Sequence, residues 1–107
     1  MPKYQVFFLE EADEEVLRSY EWGLVFWGEE RAKKWLFQLY DAVITRLSEF
    51  PLSCQVARES EFLDIEVRQD LFGRYRILFQ VEKDEVTVLR LIGPHANRPD
   101  ASDLDLD

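Results

Sequence analysis

The stretch Val67-Arg68-Gln69-Asp70-Leu71-Phe72-Gly73-Arg74-Tyr75-Arg76-Ile77-Leu78-Phe79-Gln80-Val81 decides the fold. Residues 66 to 72 alternate in polarity, Gly73-Arg74 is turn chemistry, and Tyr75, Ile77, Phe79 and Val81 then make one apolar face of a second strand. Lys83-Asp84 marks another turn, and Val86 to Ile92 is a nearly continuous β-branched and leucine run, as expected of a central strand. Three hairpin-connected strands therefore close the chain as an antiparallel meander.

Upstream the period changes. Residues 4 to 9 form a short strand with apolar residues on both faces, which suits burial on two sides or an edge covered by a helix. Glu10 and Glu11 open a helix in which Ala12, Val16, Tyr20, Leu24 and Trp27 recur at helical spacing. Gly23 within it suggests close approach to another element, and Gly28 ends it. A second helix follows at once, with Ala32, Leu36, Leu39, Val43, Leu47 and Phe50 as its stripe. Glu29-Lys33 and Glu30-Lys34 are favourable i,i+4 pairs, and Pro51 ends the helix. So short a link makes an antiparallel helical hairpin. Residues 51 to 64 are polar and irregular, with a short strand expected near Val56. The expected fold is α+β, in the order β-α-α-β-β-β, with the helical hairpin on one face of a small antiparallel sheet and the other face partly open.

Length, at 107 residues, fits one domain, and 47% hydrophobic content supports a real core. No apolar run approaches the roughly 20 residues that span a bilayer, and the first residues lack the pattern of a secretory signal. The expected compartment is the cytoplasm, with no membrane partner. The single Cys54 excludes an internal disulfide or a cysteine zinc site. Isolated glycines at 23, 28, 73 and 93 make no nucleotide loop. No cofactor and no metal is implied. The net charge of −9 opposes long-range attraction to nucleic acid. Residues 58 to 99 are nearly neutral, with 7 basic and 8 acidic side chains, whereas residues 100 to 107 carry 4 acidic and none basic. We expect a domain over residues 1–98 and an acidic, disordered tail over 99–107.

The residues able to carry chemistry lie on the sheet. Arg68 and Arg76 flank one turn and share numerical parity, which in a regular hairpin is read as one shared face, with Arg90 able to join from the next strand. Clustered guanidiniums suit phosphate. Equally, the face can be a solvated one whose arginines pair with Glu66, Asp70 and Glu82. His95, beyond the last strand, can serve as acid or base or simply hold its loop. Glu59 is a candidate carboxylate base in the loop before the hairpin. Cys54 reads as an incidental thiol. Trp22, Phe37 and Tyr40 lie off the main helical stripes and are divided between core and interface.

Taken together, Ala32-Lys33-Lys34-Trp35-Leu36, Ala42-Val43-Ile44, Leu47-Ser48-Glu49-Phe50-Pro51, Ala57-Arg58-Glu59, Val67-Arg68-Gln69, Phe72 to Phe79 and His95-Ala96-Asn97-Arg98 resemble the RelE/ParE toxin superfamily over residues 4 to 98. The resemblance implies the toxin of a type II toxin–antitoxin pair, neutralised by a cognate antitoxin. It implies either a ParE-like protein that poisons DNA gyrase or a RelE-like ribonuclease that cleaves messenger RNA on the ribosome. A non-toxic, partner-binding relative is a third reading. In a ribonuclease, Arg68, Arg76, His95 and Glu59 would be catalytic. Arg74, Arg90 and Arg98 would bind phosphate or a partner, and Trp22, Phe37 and Tyr40 would meet the antitoxin. Two departures favour a ParE-like protein target or a relative that has lost toxicity: no Tyr follows Arg98, and the chain is acidic where ribosome-directed toxins are typically basic.

Overall fold

The computed structural model describes residues 3–94; His95, Arg98 and the acidic tail lie outside the described residues. The elements are β1 (Gln5–Phe8), α1 (Glu10–Phe26), α2 (Glu29–Glu49), β2 (Gln55–Val56), β3 (Arg68–Phe72), β4 (Tyr75–Glu82) and β5 (Glu85–Ile92). Two short 3-10 turns, Pro51–Ser53 and Arg58–Phe62, lie either side of β2. The five strands form one sheet in the order β1-β5-β4-β3-β2.

The late strands pair as an antiparallel meander, as their polarity pattern requires. Both hairpin loops have two residues, since Phe72 pairs with Tyr75 and Glu82 with Glu85. In each loop the first residue takes a positive φ, Gly73 at 59° and Lys83 also at 59°. The sheet departs from the expected antiparallel arrangement at one edge. There β1 runs parallel to β5, with Val6 opposite Val86 and Phe8 opposite Val88. The helical hairpin between them is the long connection that a parallel pair needs.

Gly28 joins the helices at φ 95°, a conformation open to glycine and strained for other residues. The buried stripe of α2 includes the expected Ala32, Leu39, Val43 and Leu47, whereas Phe50 is exposed. That of α1 is rotated from expectation. Ala12, Val16, Ser19 and Gly23 are buried, and Leu24 turns outward. At Gly23 the Trp27 ring comes close: a Cβ there would lie 2.8 Å from its Cε3. The small residue makes room for the ring to fold back on its own helix.

Between helices and sheet lies the main core, built on Phe79, Ile77, Leu39, Leu47, Val16 and Val86, with Cys54 at its margin. A second, smaller cluster of Ala57, Val67 and Leu78, flanked by Leu89 and Ile92, lies on the other sheet face. The face expected to be open is thus partly covered by the segment before β3. Ser60 holds it there, its hydroxyl donating to the carbonyl of Val67 at 2.9 Å and accepting from the Val67 amide at 2.7 Å.

Candidate functional site

The register of the β3–β4 hairpin disperses the expected arginine cluster. Arg68 pairs with Phe79 and Leu71 with Arg76. Across a two-residue loop, paired numbers differ by an odd amount, so residues of equal parity lie on opposite faces. Arg68 therefore shares the helix face with Asp70, Ile77 and Phe79, and Arg76 occupies the opposite face with Gln69 and Leu71. The expectation of one shared face is corrected by this register.

Each arginine is held by its own surroundings. Arg68 Nη1 donates to the Cys54 carbonyl at 2.6 Å and to the Leu52 carbonyl at 3.4 Å, and Nη2 meets Glu66 at 3.4 Å. Its Nε is buried with no partner among the described residues. This is the geometry of a loop clamp. Arg90 stands opposite Leu78, on the Arg76 face by register, but its guanidinium is drawn away to the first helix. It binds Glu15 of α1 through Nε at 2.7 Å and Nη2 at 2.6 Å. The other oxygen of Glu15 accepts the Leu91 amide at 2.7 Å, on β5 beyond the end of β1. Glu15 thus replaces the missing strand partner at that point.

Arg76 is the most completely engaged. Nη1 and Nη2 form a two-pronged pair with Glu59 at 2.9 and 2.8 Å, while Nε and Nη2 also donate to Gln69 at 3.1 and 2.7 Å. Both side chains are well shielded, at 19% and 29% exposure. The hydrogen bonds from Arg76 hold the Glu59 carboxyl down to about 2, and those to Glu59 push the guanidinium further up. A shallow groove of about 530 Å³ opens beside the pair, lined by Arg58, Ser60, Glu61, Gln69 and Arg76. A phosphate entering here must displace a carboxylate that already holds both terminal guanidinium nitrogens of Arg76. Glu59 as a general base would operate far below neutral pH, with little driving force for proton transfer.

The three aromatic candidates also separate. Phe37 is 70% exposed on α2. Tyr40 is a packing residue: its ring lies 5.0 Å from that of Phe8, and its hydroxyl donates to Asp13 of α1 at 2.8 Å. Burial, then the bond to Asp13, raises its phenol. Trp22 is half-buried in a different place, a groove of about 700 Å³ between the tip of the helical hairpin and the β3–β4 turn. Arg74, a candidate from the sequence, lines the same groove, together with Arg31 and Lys34, which the sequence reading did not single out. Lys33 pairs with Glu29 at 2.9 Å as expected. Lys34, assigned by spacing to Glu30, instead lines this groove, with no ion pair among the described residues.

Each of the two helices tied by the Asp13–Tyr40 contact presents a strip of exposed apolar side chains. Leu17 and Leu24 are seven residues apart on α1, and Phe37 and Ile44 are seven apart on α2. All four are exposed. Among the described residues, no three His, Cys, Asp or Glu side chains converge as a metal site, and no helix is long and apolar enough to cross a membrane.

The helical hairpin on one face of a small mixed sheet, with a meander carrying the second half of the chain, is a fold shared with solved structures of toxin–antitoxin systems. The chromosomal ParDE system from P. aeruginosa aligns with a TM-score of 0.71 and 20% identity, over 85% of this chain and 96% of that one. The toxin–antitoxin complex RelBE2 from Mycobacterium tuberculosis aligns with a TM-score of 0.62 and 20% identity, over 91% and 97%. Residues 6–99 match the family described as ParE toxin of type II toxin-antitoxin system, parDE. The chain belongs to that ParE toxin family. No curated protein matches significantly.

Proposed function

We propose that this ParE-family toxin arrests growth by binding a protein target, with DNA gyrase the target that the family resemblance implies, and that a cognate antitoxin neutralises it. One observation carries the choice of protein binding over RNA cleavage. The two groups best suited to phosphodiester chemistry, Arg76 and Glu59, are bound to each other. The only other guanidinium of that hairpin's strands, Arg68, serves loop carbonyls on the opposite sheet face. Stabilising the charge that builds on a cleaving phosphate needs donors aimed at an open position, and here they are aimed at a carboxylate. The catalytic role of His95 belongs to the ribonuclease alternative alone, and Arg98 stays a proposed partner contact.

The antitoxin reading draws support from the apolar strips of Leu17 and Leu24 and of Phe37 and Ile44. An amphipathic helix lays i, i+3, i+4 and i+7 anchors against such a surface. Phe37 is the antitoxin contact we retain. Tyr40 acts by tying the helices together, and Trp22 contributes from the hairpin tip.

The test is induced expression in a bacterial host, with and without the neighbouring open reading frame. Growth arrest relieved by the neighbour, and relief weakened by Phe37→Asp, is the expected result. Healthy growth at high levels of folded protein would contradict the toxin reading.

A further inference from the structure

All three tryptophans of the chain, Trp22, Trp27 and Trp35, line one groove. Their rings form a continuous row. Trp22 stands edge-on to Trp27 at 5.5 Å, Trp27 lies 6.2 Å from Trp35, and Trp35 lies 5.2 Å from Tyr75. Three cations border the row: Arg31, stacked 5.4 Å over Trp27, with Lys34 and Arg74. No acidic side chain is among the lining residues. In a protein of net charge −9, a groove with three cations and no acid is locally inverted in sign. Aromatic rings flanked by cations suit a ligand that is both acidic and apolar.

The chain carries such a ligand. Pro94, the last described residue, is itself part of the groove wall. The sequence continues as His95-Ala96-Asn97-Arg98-Pro99-Asp100-Ala101-Ser102-Asp103-Leu104-Asp105-Leu106-Asp107. Thirteen residues reach up to about 40 Å, more than enough to turn back over a groove that starts at their root. In an extended chain Leu104 and Leu106 fall on one side and Asp103, Asp105 and Asp107 on the other. We propose that the acidic segment 99–107 docks in the tryptophan groove of its own molecule, its leucines against the indole rings and its aspartates toward Arg31, Lys34 and Arg74. Tethering at Pro94 supplies a high effective concentration, so individually weak contacts suffice. The segment then acts as a built-in competitor that any outside acidic ligand of this groove must displace.

Because every tryptophan lies in the groove, intrinsic fluorescence reads this site. The full chain is compared with a variant carrying Asp100→Asn, Asp103→Asn, Asp105→Asn and Asp107→Asn, by acrylamide quenching in about 0.1 M and about 1 M NaCl, where the screening length falls from about 10 to about 3 Å. The expected result is a quenching constant about 2-fold higher in the variant at low salt, reached by the unmodified chain only at high salt, since charge attraction holds the segment. A second variant, Arg31→Glu with Arg74→Glu, is expected to be salt-insensitive, with an unchanged far-ultraviolet dichroism spectrum confirming its fold. Equal quenching of the full chain and the Asn variant at low salt would overturn the proposal. So would salt sensitivity that depends on protein concentration, which would mean that the tail of a second copy occupies the groove. Neither readout depends on toxicity.

Discussion

Among single side chains, Arg76 has the strongest hold on its surroundings. Its two-pronged bond to Glu59 and its contacts with Gln69 fix the segment before β3 against the sheet. Arg76→Ala leaves a shielded carboxylate without its donors. It is expected to lower unfolding free energy by about 1–3 kcal/mol, measured by urea denaturation. The same pair gives a signed pH dependence. The folded carboxyl of Glu59 is held at about 2, below its ordinary value of about 4.3. Its stabilisation is therefore complete above about pH 4.5 and is lost as pH falls from there toward about 2. Denaturation midpoints are expected to fall across that window in the unmodified protein, and less steeply in Arg76→Ala. Identical slopes would show that the pair is not the origin. Arg68 and Arg76 also mark where a sequence reading fails. Equal parity suggests a shared face, but the two-residue loop at Gly73-Arg74 reverses that inference. The loop length was legible, so the opposite placement was within reach of the sequence.

Individual elements were the more legible level. Hairpins closed by Gly73-Arg74 and Lys83-Asp84, helix ends at Gly28 and Pro51, and the apolar face of β4 follow from local chemistry. The parallel placement of β1 does not, because both of its faces are apolar and nothing local names its neighbour. Glu15 was equally hidden. It is one acid among many on α1, and its role depends on where β5 outruns β1. Glu15→Ala is expected to cost about 1–3 kcal/mol, with faster hydrogen exchange at the Leu91 amide. Unaltered exchange there would show that the cap is dispensable. Lys83, at φ 59°, is a non-glycine residue in the left-handed region. Lys83→Gly is expected to raise stability by about 1 kcal/mol, read as a higher thermal midpoint. A lower midpoint would mean that the lost chain entropy outweighs the relieved strain.

For the whole molecule, the fold separates three surfaces. The helical hairpin carries the apolar strips, the hairpin tip a basic tryptophan groove, and the second sheet face a closed arginine–glutamate pair. Of the first, sequence periodicity marked only Phe37, and it placed Leu24 in the inward stripe. The groove was invisible because its cations come from α2 and from the β3–β4 turn, far apart in the chain. The closed pair was invisible because Glu59 lies 17 residues from Arg76, in a segment before β3 whose irregular pattern does not place it against the sheet. These surfaces suit the proposed protein-binding role, in which the Arg76–Glu59 pair is closed and the tryptophan groove keeps its cations.

The most direct measurement adds purified protein to two reactions side by side: gyrase-catalysed supercoiling and translation of a defined messenger on ribosomes. Inhibited supercoiling, with accumulation of broken DNA and an intact messenger, is the predicted result. Cleaved messenger abolished by Arg76→Ala, with supercoiling untouched, would contradict the account.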